Sequence, residues 1–375
     1  MRMIKLLLTM VCVVLYSCGL DHNGDNTPVD EYDRKAILVN WADNLILPSL
    51  SNYKSKLEVL KITTNDFVTT PNTVSLTVVR AKWFEAYKSY QYVAMFNIGK
   101  ADEIQLSKYS NTYPTGVAQI NAKIASGDYN LEGASFDVVQ GFPALDYMLF
   151  GLSSDTNEII EFYSTHADAV KYRNYLTALV NRLEFLLNQV YDDWQSGYKT
   201  TFISKSDNTS SGSVNRMVNA YIHFYEKDIR TAKIGYPAGK FSDRTYPDKV
   251  EAYYSKNYSK ELVQEALNAA HNFFEGKYFD GNQYGPSLKS YLNYLDKKGN
   301  NEEGTQLLSN LIINQFNIAH HAVDEMLPDL SQQVIIDNTK MTATFNALQR
   351  NVAYMKSDMT SAMSISIDYA DTDGD

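Results

Sequence analysis

The sequence has 375 residues, 44% hydrophobic and 13% aromatic, enough for a large packed core and, as a prior from length, for about two domains. Its 34 Lys and Arg against 44 Asp and Glu give a formal charge of −10, which argues against the basic surface that nucleic-acid binding needs. An acidic balance is compatible with cation binding, without pointing to one cation.

The N-terminus reads as a targeting segment. Arg2 and Lys5 precede an apolar run from Leu6 to Leu15, of signal-peptide length and too short for a stable bilayer span. The run closes on Leu15-Tyr16-Ser17-Cys18, a small residue before a Cys, which resembles a bacterial lipobox. Residues 1–17 are therefore expected to be a lipoprotein signal peptide and Cys18 the lipidated first residue. An ordinary signal peptide with an unmodified Cys is the alternative. Cys12 and Cys18 are the only cysteines, so the mature body has no disulfide, thiolate ligand or thiol nucleophile. Residues 18–30 are polar and Gly/Asn-rich, as a flexible tether would be.

From residue 31 onward, helical periodicity dominates. Ile37, Trp41, Leu45, Tyr53, Leu57 and Leu60 mark a first long helix, with a kink expected at Pro48. After a break at Thr69 to Thr73, a second helix is predicted over Val78 to Ile98, ended by Gly99. Tyr113-Pro114-Thr115 opens a short helix through Ile124, and Ser126-Gly127-Asp128 is a turn. A long helix follows from about His166 to Trp194.

Residues 204–213 (SKSDNTSSGS) have linker composition. Beyond them, helices are predicted over Val214 to Ala232, Ser259 to Phe274 with Ser259 as N-cap, Glu303 to Met326, and Ser331 to Met359. Only Ser364 to Tyr369 (SISIDY) alternates as a strand would. The expected architecture is all-α. One helical bundle lies over 31–203 and another over 214–375, two sets of about four helices that suggest a duplicated bundle.

The stretch Gln140 to Gly151 (QGFPALDYMLFG) carries the most local information. Gly141 and Pro143 make a helix start, Phe142, Leu145 and Leu149 form an apolar stripe, and Gly151 is a stop. Asp146 is expected in or just after the first turn, where exposed amides and the helix dipole favour a carboxylate.

This stretch resembles the GxHxxE hallmark of the imelysin-like proteins, with Gly141, Pro143 and Asp146 in the Gly, His and Glu places. The resemblance extends over the whole body through RAKWFEAYKSYQ (Arg80 to Gln91), YPAGK (Tyr236 to Lys240), VEAYYSKNYS (Val250 to Ser259) and the terminal ISIDYADTDGD. It implies an all-helical fold of two bundle-like halves with a functional cleft between them. It also implies a membrane-anchored lipoprotein of a Gram-negative bacterium, facing the periplasm or cell surface and linked to iron or haem uptake with its partner proteins. Metallopeptidase activity, and a binding role for a ligand other than iron, are the competing implications. The replacement of His by Pro143, and of Glu by the shorter Asp146, weakens any metal site.

Three groups are cleft candidates. Asp146, with Gly141 and Pro143 beside it in the motif, could bind a cation or polar ligand, or only stabilise its helix. Glu251 and Ser255 would be i,i+4 neighbours if Pro247 to Tyr258 starts helically, facing the cleft as the family segment does. Arg80 could pair with Asp146 or Glu251, and Trp83 beside it reads as core. The oxygen-rich set would suit Mg²⁺ or Ca²⁺ more than Zn²⁺, so a divalent cation is the only cofactor suggested. His320 with Asp324, and His321 with Glu325, have i,i+4 spacing but lack an HExxH arrangement and read as a solvated face. Asp368 to Asp375 is too short for an EF-hand loop. P-loop, GxGxxG and GxSxG patterns are absent from the sequence.

Overall fold

The apolar stripe that begins at Ile37 becomes a single long helical run. Arg34–Asn40 passes through a π-helical turn, Trp41–Ile46, into Leu47–Thr69. Asp33 caps its start by accepting from the Ala36 amide at 3.0 Å. Pro48 sits just beyond the π turn, where the widened helix accommodates a residue without an N–H. In this computed structural model the described residues are 31–299 and 306–369. Cys18, the signal peptide of residues 1–17 and the tether of residues 18–30 lie outside them, as do the last residues of the terminal acidic stretch.

The second helix is Thr73–Gln91, opened by an Asn72 capping box with Ser75. It ends seven residues before the sequence-based boundary; residues 92–95 form turns and 96–98 are irregular. The long helix Ala169–Asp193 packs against Leu47–Thr69, which in turn packs on Thr73–Gln91. Beyond the loop at 205–212, Ser213–His223 runs on through the π-helical stretch Phe224–Gly235. Ser259–Glu275, Leu308–Asp324 and Asn338–Ala353 supply the remaining principal helices. The predicted helix over Ser331 to Met359 is broken at Asp337, which caps the next helix by accepting from the Thr339 amide at 3.1 Å.

The fold is all-α. Among the described residues no strand forms; Lys277 and Tyr284 make one isolated bridge, and the alternating residues 364–369 are not extended into a sheet. No described helix is long and apolar enough to cross a membrane. From Asp33 onward the chain clusters as one unit. The two sides of the 205–212 loop are joined by ring stacking and by an ion pair nearer the surface. Trp41 stacks on Phe273 at 4.8 Å, Phe84 stacks on Tyr258 at 3.9 Å, and Lys88 pairs with Glu261 at 2.8 Å.

Candidate functional site

The motif segment forms a buried helix, Gly141–Asp146, that continues as a π turn, Tyr147–Gly151. Gly141 has φ +79°, and a Cβ there would lie 2.3 Å from the Ser110 carbonyl oxygen, so glycine is required both by conformation and by space. Pro143 occupies the third helical position, where its missing N–H leaves no bond unmade. Phe142 stacks on Tyr87 with centroids 4.4 Å apart, and the Trp83 indole N–H donates to the Phe142 carbonyl at 3.3 Å. Trp83 is fully buried, as core.

Asp146 is the sixth residue of this helix, beyond its first turn, and does not cap it. Its carboxylate instead crosses to the segment after Val250. Oδ2 accepts from the Tyr254 amide at 2.8 Å and Oδ1 from the Ser255 amide at 3.0 Å. The carboxylate is buried, and burial pushes its pKa up to about 7 against the opposing pull of the Tyr254 amide and of Ser255.

Two consecutive amides can face one carboxylate because residues 250–258 are not a helix. A 3₁₀ turn, Pro247–Lys249, gives way to turns in which Ala252 has φ +56° and Lys256 φ +65°. Both non-glycine residues sit in the left-handed region, which costs each of them of order 1 kcal/mol. They flank Tyr253-Tyr254-Ser255, and the N–H groups of Tyr254 and Ser255 form an anion nest filled by Asp146. The i,i+4 relation expected of Glu251 and Ser255 is therefore lost. Ser255 contributes its amide, and its hydroxyl donates to the Ala252 carbonyl at 3.2 Å.

Glu251 turns into the interior and is almost fully buried. Its Oε1 accepts from the Tyr87 hydroxyl at 3.0 Å and the Asn111 amide at 2.7 Å, while Oε2 pairs with the buried Lys233 ammonium. Burial, then the Glu251 charge, holds the Tyr87 hydroxyl protonated well above the usual phenol range.

Arg80 meets neither carboxylate. Its Nε and Nη2 both donate to the Leu149 carbonyl, at 2.9 and 2.7 Å, and its guanidinium lies 4.5 Å from the Phe150 ring centroid. The expected pairing with Asp146 or Glu251 gives way to a cap on the last turn of the motif helix, where terminal carbonyls have no intrahelical partner. Ser259 is buried and structural without being an N-cap: it is the first helical residue, its hydroxyl donates to the Pro328 carbonyl at 3.1 Å and it accepts from the Leu330 amide at 2.8 Å. His320 is half-buried beside His271, with ring nitrogens 3.4 Å apart, while His321 is exposed.

The structure thus joins Gly141, Pro143, Asp146 and Ser255 in one clasp, places Glu251 in an adjoining buried network, and sets Arg80 at the far end of the motif helix. Sequence reasoning missed Lys233, Tyr87 and Asn111. One signal was available: Glu226, Arg230 and Lys233 fall at i, i+4 and i+7 among apolar residues, and all three are buried. Glu226 accepts from Arg230 at 3.1 Å, Lys356 at 3.0 Å and Tyr369 at 2.7 Å, a second internal charge network.

This donor set does not fit a transition metal. Proline has no side-chain donor, both Asp146 oxygens are taken by amides, and Glu251 is taken by Lys233, Tyr87 and Asn111. Among the described residues no three or more His, Asp or Glu side chains are grouped to hold an ion.

The fold has counterparts. A Parabacteroides distasonis protein described as an iron-regulated protein A precursor superposes with a TM-score of 0.72 at 17% identity, over 88% of this chain and 95% of that one. An imelysin-like protein from Psychrobacter arcticum superposes with a TM-score of 0.68 at 18% identity, over 90% and 97% of the respective chains. No curated protein sequence matches significantly. The imelysin family profile, labelled Peptidase M75, matches residues 46–359, and the chain belongs to the imelysin family.

Proposed function

We propose that the protein is a non-enzymatic, lipid-anchored binding component linked to iron or haem uptake, in which the family's motif carboxylate fastens the scaffold. The observation that carries this reading is the engagement of both Asp146 oxygens by the amides of Tyr254 and Ser255 in a buried position. A metallopeptidase needs about three protein ligands and an open position for water. Here the position of the motif His is Pro143 and the two nearest carboxylates are spoken for. The iron link rests on family membership and on the description of the Parabacteroides relative. The anchor rests on Ser17-Cys18 closing an apolar signal run.

Two experiments in the native host test the reading. Feeding an alkyne fatty acid should label the wild type and leave Cys18→Ser unlabelled. A deletion strain should grow more slowly than its parent with haem as sole iron source, and plasmid-borne wild type should restore growth. Equal labelling of both proteins would refute the anchor, and unchanged growth would refute the iron link.

A further inference from the structure

A cavity of about 410 Å³ lies where the first helical run, the end of Thr73–Gln91 and the helix Ser259–Glu275 meet. Its volume falls in the range of small-molecule pockets, about 300–1,000 Å³. Leu45, Met95, Phe96 and Phe273, all buried, form an apolar floor. The outer wall is the turn after Gly276. There the Phe279 amide donates to the Asn44 carbonyl at 2.8 Å and the Tyr278 amide to the Gln283 carbonyl at 2.9 Å, so the wall is tied to the first helical run.

Most charges around the rim are paired; Glu265 meets only a neutral hydroxyl, and Lys277 is the one cation left over among the described residues. Glu85 is held by Lys82 at 2.7 Å and Lys56 at 3.3 Å, Lys88 pairs with Glu261 at 2.8 Å, and Glu265 accepts from the Tyr92 hydroxyl at 2.7 Å. Lys277, which also lines the cavity, has no ion-pair or hydrogen-bond partner for its ammonium among the described residues. Asn52 and Asn272, half-buried on the same walls, likewise make no side-chain hydrogen bond among the described residues. An apolar floor with polar side chains free to meet a ligand, one of them a cation, is the arrangement that orients a ligand by its polar end while burying its body.

We propose that this cavity binds an amphipathic carboxylate, a small molecule with one apolar body and one anionic head, with Lys277 meeting the head. The inference is independent of the iron link and of the motif clasp. A linear acyl chain and a flat aromatic acid share this chemistry.

The test is calorimetry on the full-length mature protein with decanoate, naphthoate, decanoate methyl ester and decylammonium. At least one of the two carboxylates should bind, and which of them binds tighter identifies the shape of the body. The ester and the ammonium should bind roughly tenfold to a hundredfold more weakly, the size of one charge-assisted contact. Lys277→Gln should weaken the carboxylate by the same factor and leave the ester unchanged. Ala269→Leu, on the cavity wall, should abolish all binding. If Ala269→Leu fails to fold, Lys277→Gln alone decides. No binding of either carboxylate, equal affinity for decanoate and decylammonium, or indifference to Lys277→Gln would overturn the proposal.

Discussion

At the scale of single residues, Asp146 sets two effects against each other. Burial favours the neutral acid, whereas the two amides favour the carboxylate, and burial wins, with the pKa at about 7 against an ordinary value of 3.8. The folded state therefore binds the proton more tightly than the unfolded chain. The stability this proton provides is complete below pH 3.8 and is lost as the pH rises through about 7. A shift of that size corresponds to about 4 kcal/mol across the window, as an order of magnitude. Asp146→Asn, which cannot titrate, should cost more at pH 5 than at pH 8 in urea unfolding. A cost that grows with pH would show that the amides dominate over burial. The sequence made Asp146 visible as a helix-associated carboxylate. Its partners were not visible, because they are backbone amides 108 and 109 residues away whose orientation depends on two left-handed residues. Arg80 was legible as an anchor, but its target is a carbonyl, and carbonyls leave no mark in a sequence.

At the scale of elements, the motif helix is fixed at both ends. Gly141 lets it start against Ser110, and Arg80 holds its last turn through Leu149. Gly141→Ala adds both a positive-φ penalty and a clash with backbone, so a loss of more than about 2 kcal/mol is expected in chemical denaturation. Lys256→Gly, which relieves a positive φ at an exposed residue, should be neutral or stabilising by up to about 1 kcal/mol. Loss of stability in Lys256→Gly would mean that its side chain matters more than its backbone. The helices themselves were mostly readable from apolar spacing. The misses have physical causes. Residues 247–258 carry Glu, Lys, Ala and Ser, all tolerable in a helix, so nothing local betrays that the turn is stabilised by Asp146 from outside. The second helix stops at Gln91 although apolar residues continue, because Val93, Met95 and Phe96 are buried from turns and irregular backbone as readily as from a helix. The π-helical stretch Phe224–Gly235 shifts the register of its side chains by its extra residue per turn, which a 3.6-residue period does not anticipate.

At the scale of the whole molecule, family membership and the all-α class were both legible in the sequence, since they depend on long periodic runs and on motif order. The composition of residues 204–213 marks a connection, and residues 205–211 are largely exposed. Trypsin is expected to cut first at Lys205. The two fragments should still elute together in gel filtration, because Trp41–Phe273, Phe84–Tyr258 and Lys88–Glu261 hold across the cut. Separate native elution would contradict the shared core.

The central claim is that the motif carboxylate is a structural fastening and does not serve as a metal ligand. Calorimetry of chelator-free protein with Zn²⁺ and with Fe²⁺, on wild type and Asp146→Ala, tests it most directly. No tight binding in either protein, together with a lower melting temperature in Asp146→Ala, is the predicted result. Tight binding in the wild type that disappears in Asp146→Ala would contradict it and return the motif to the role of a metal site.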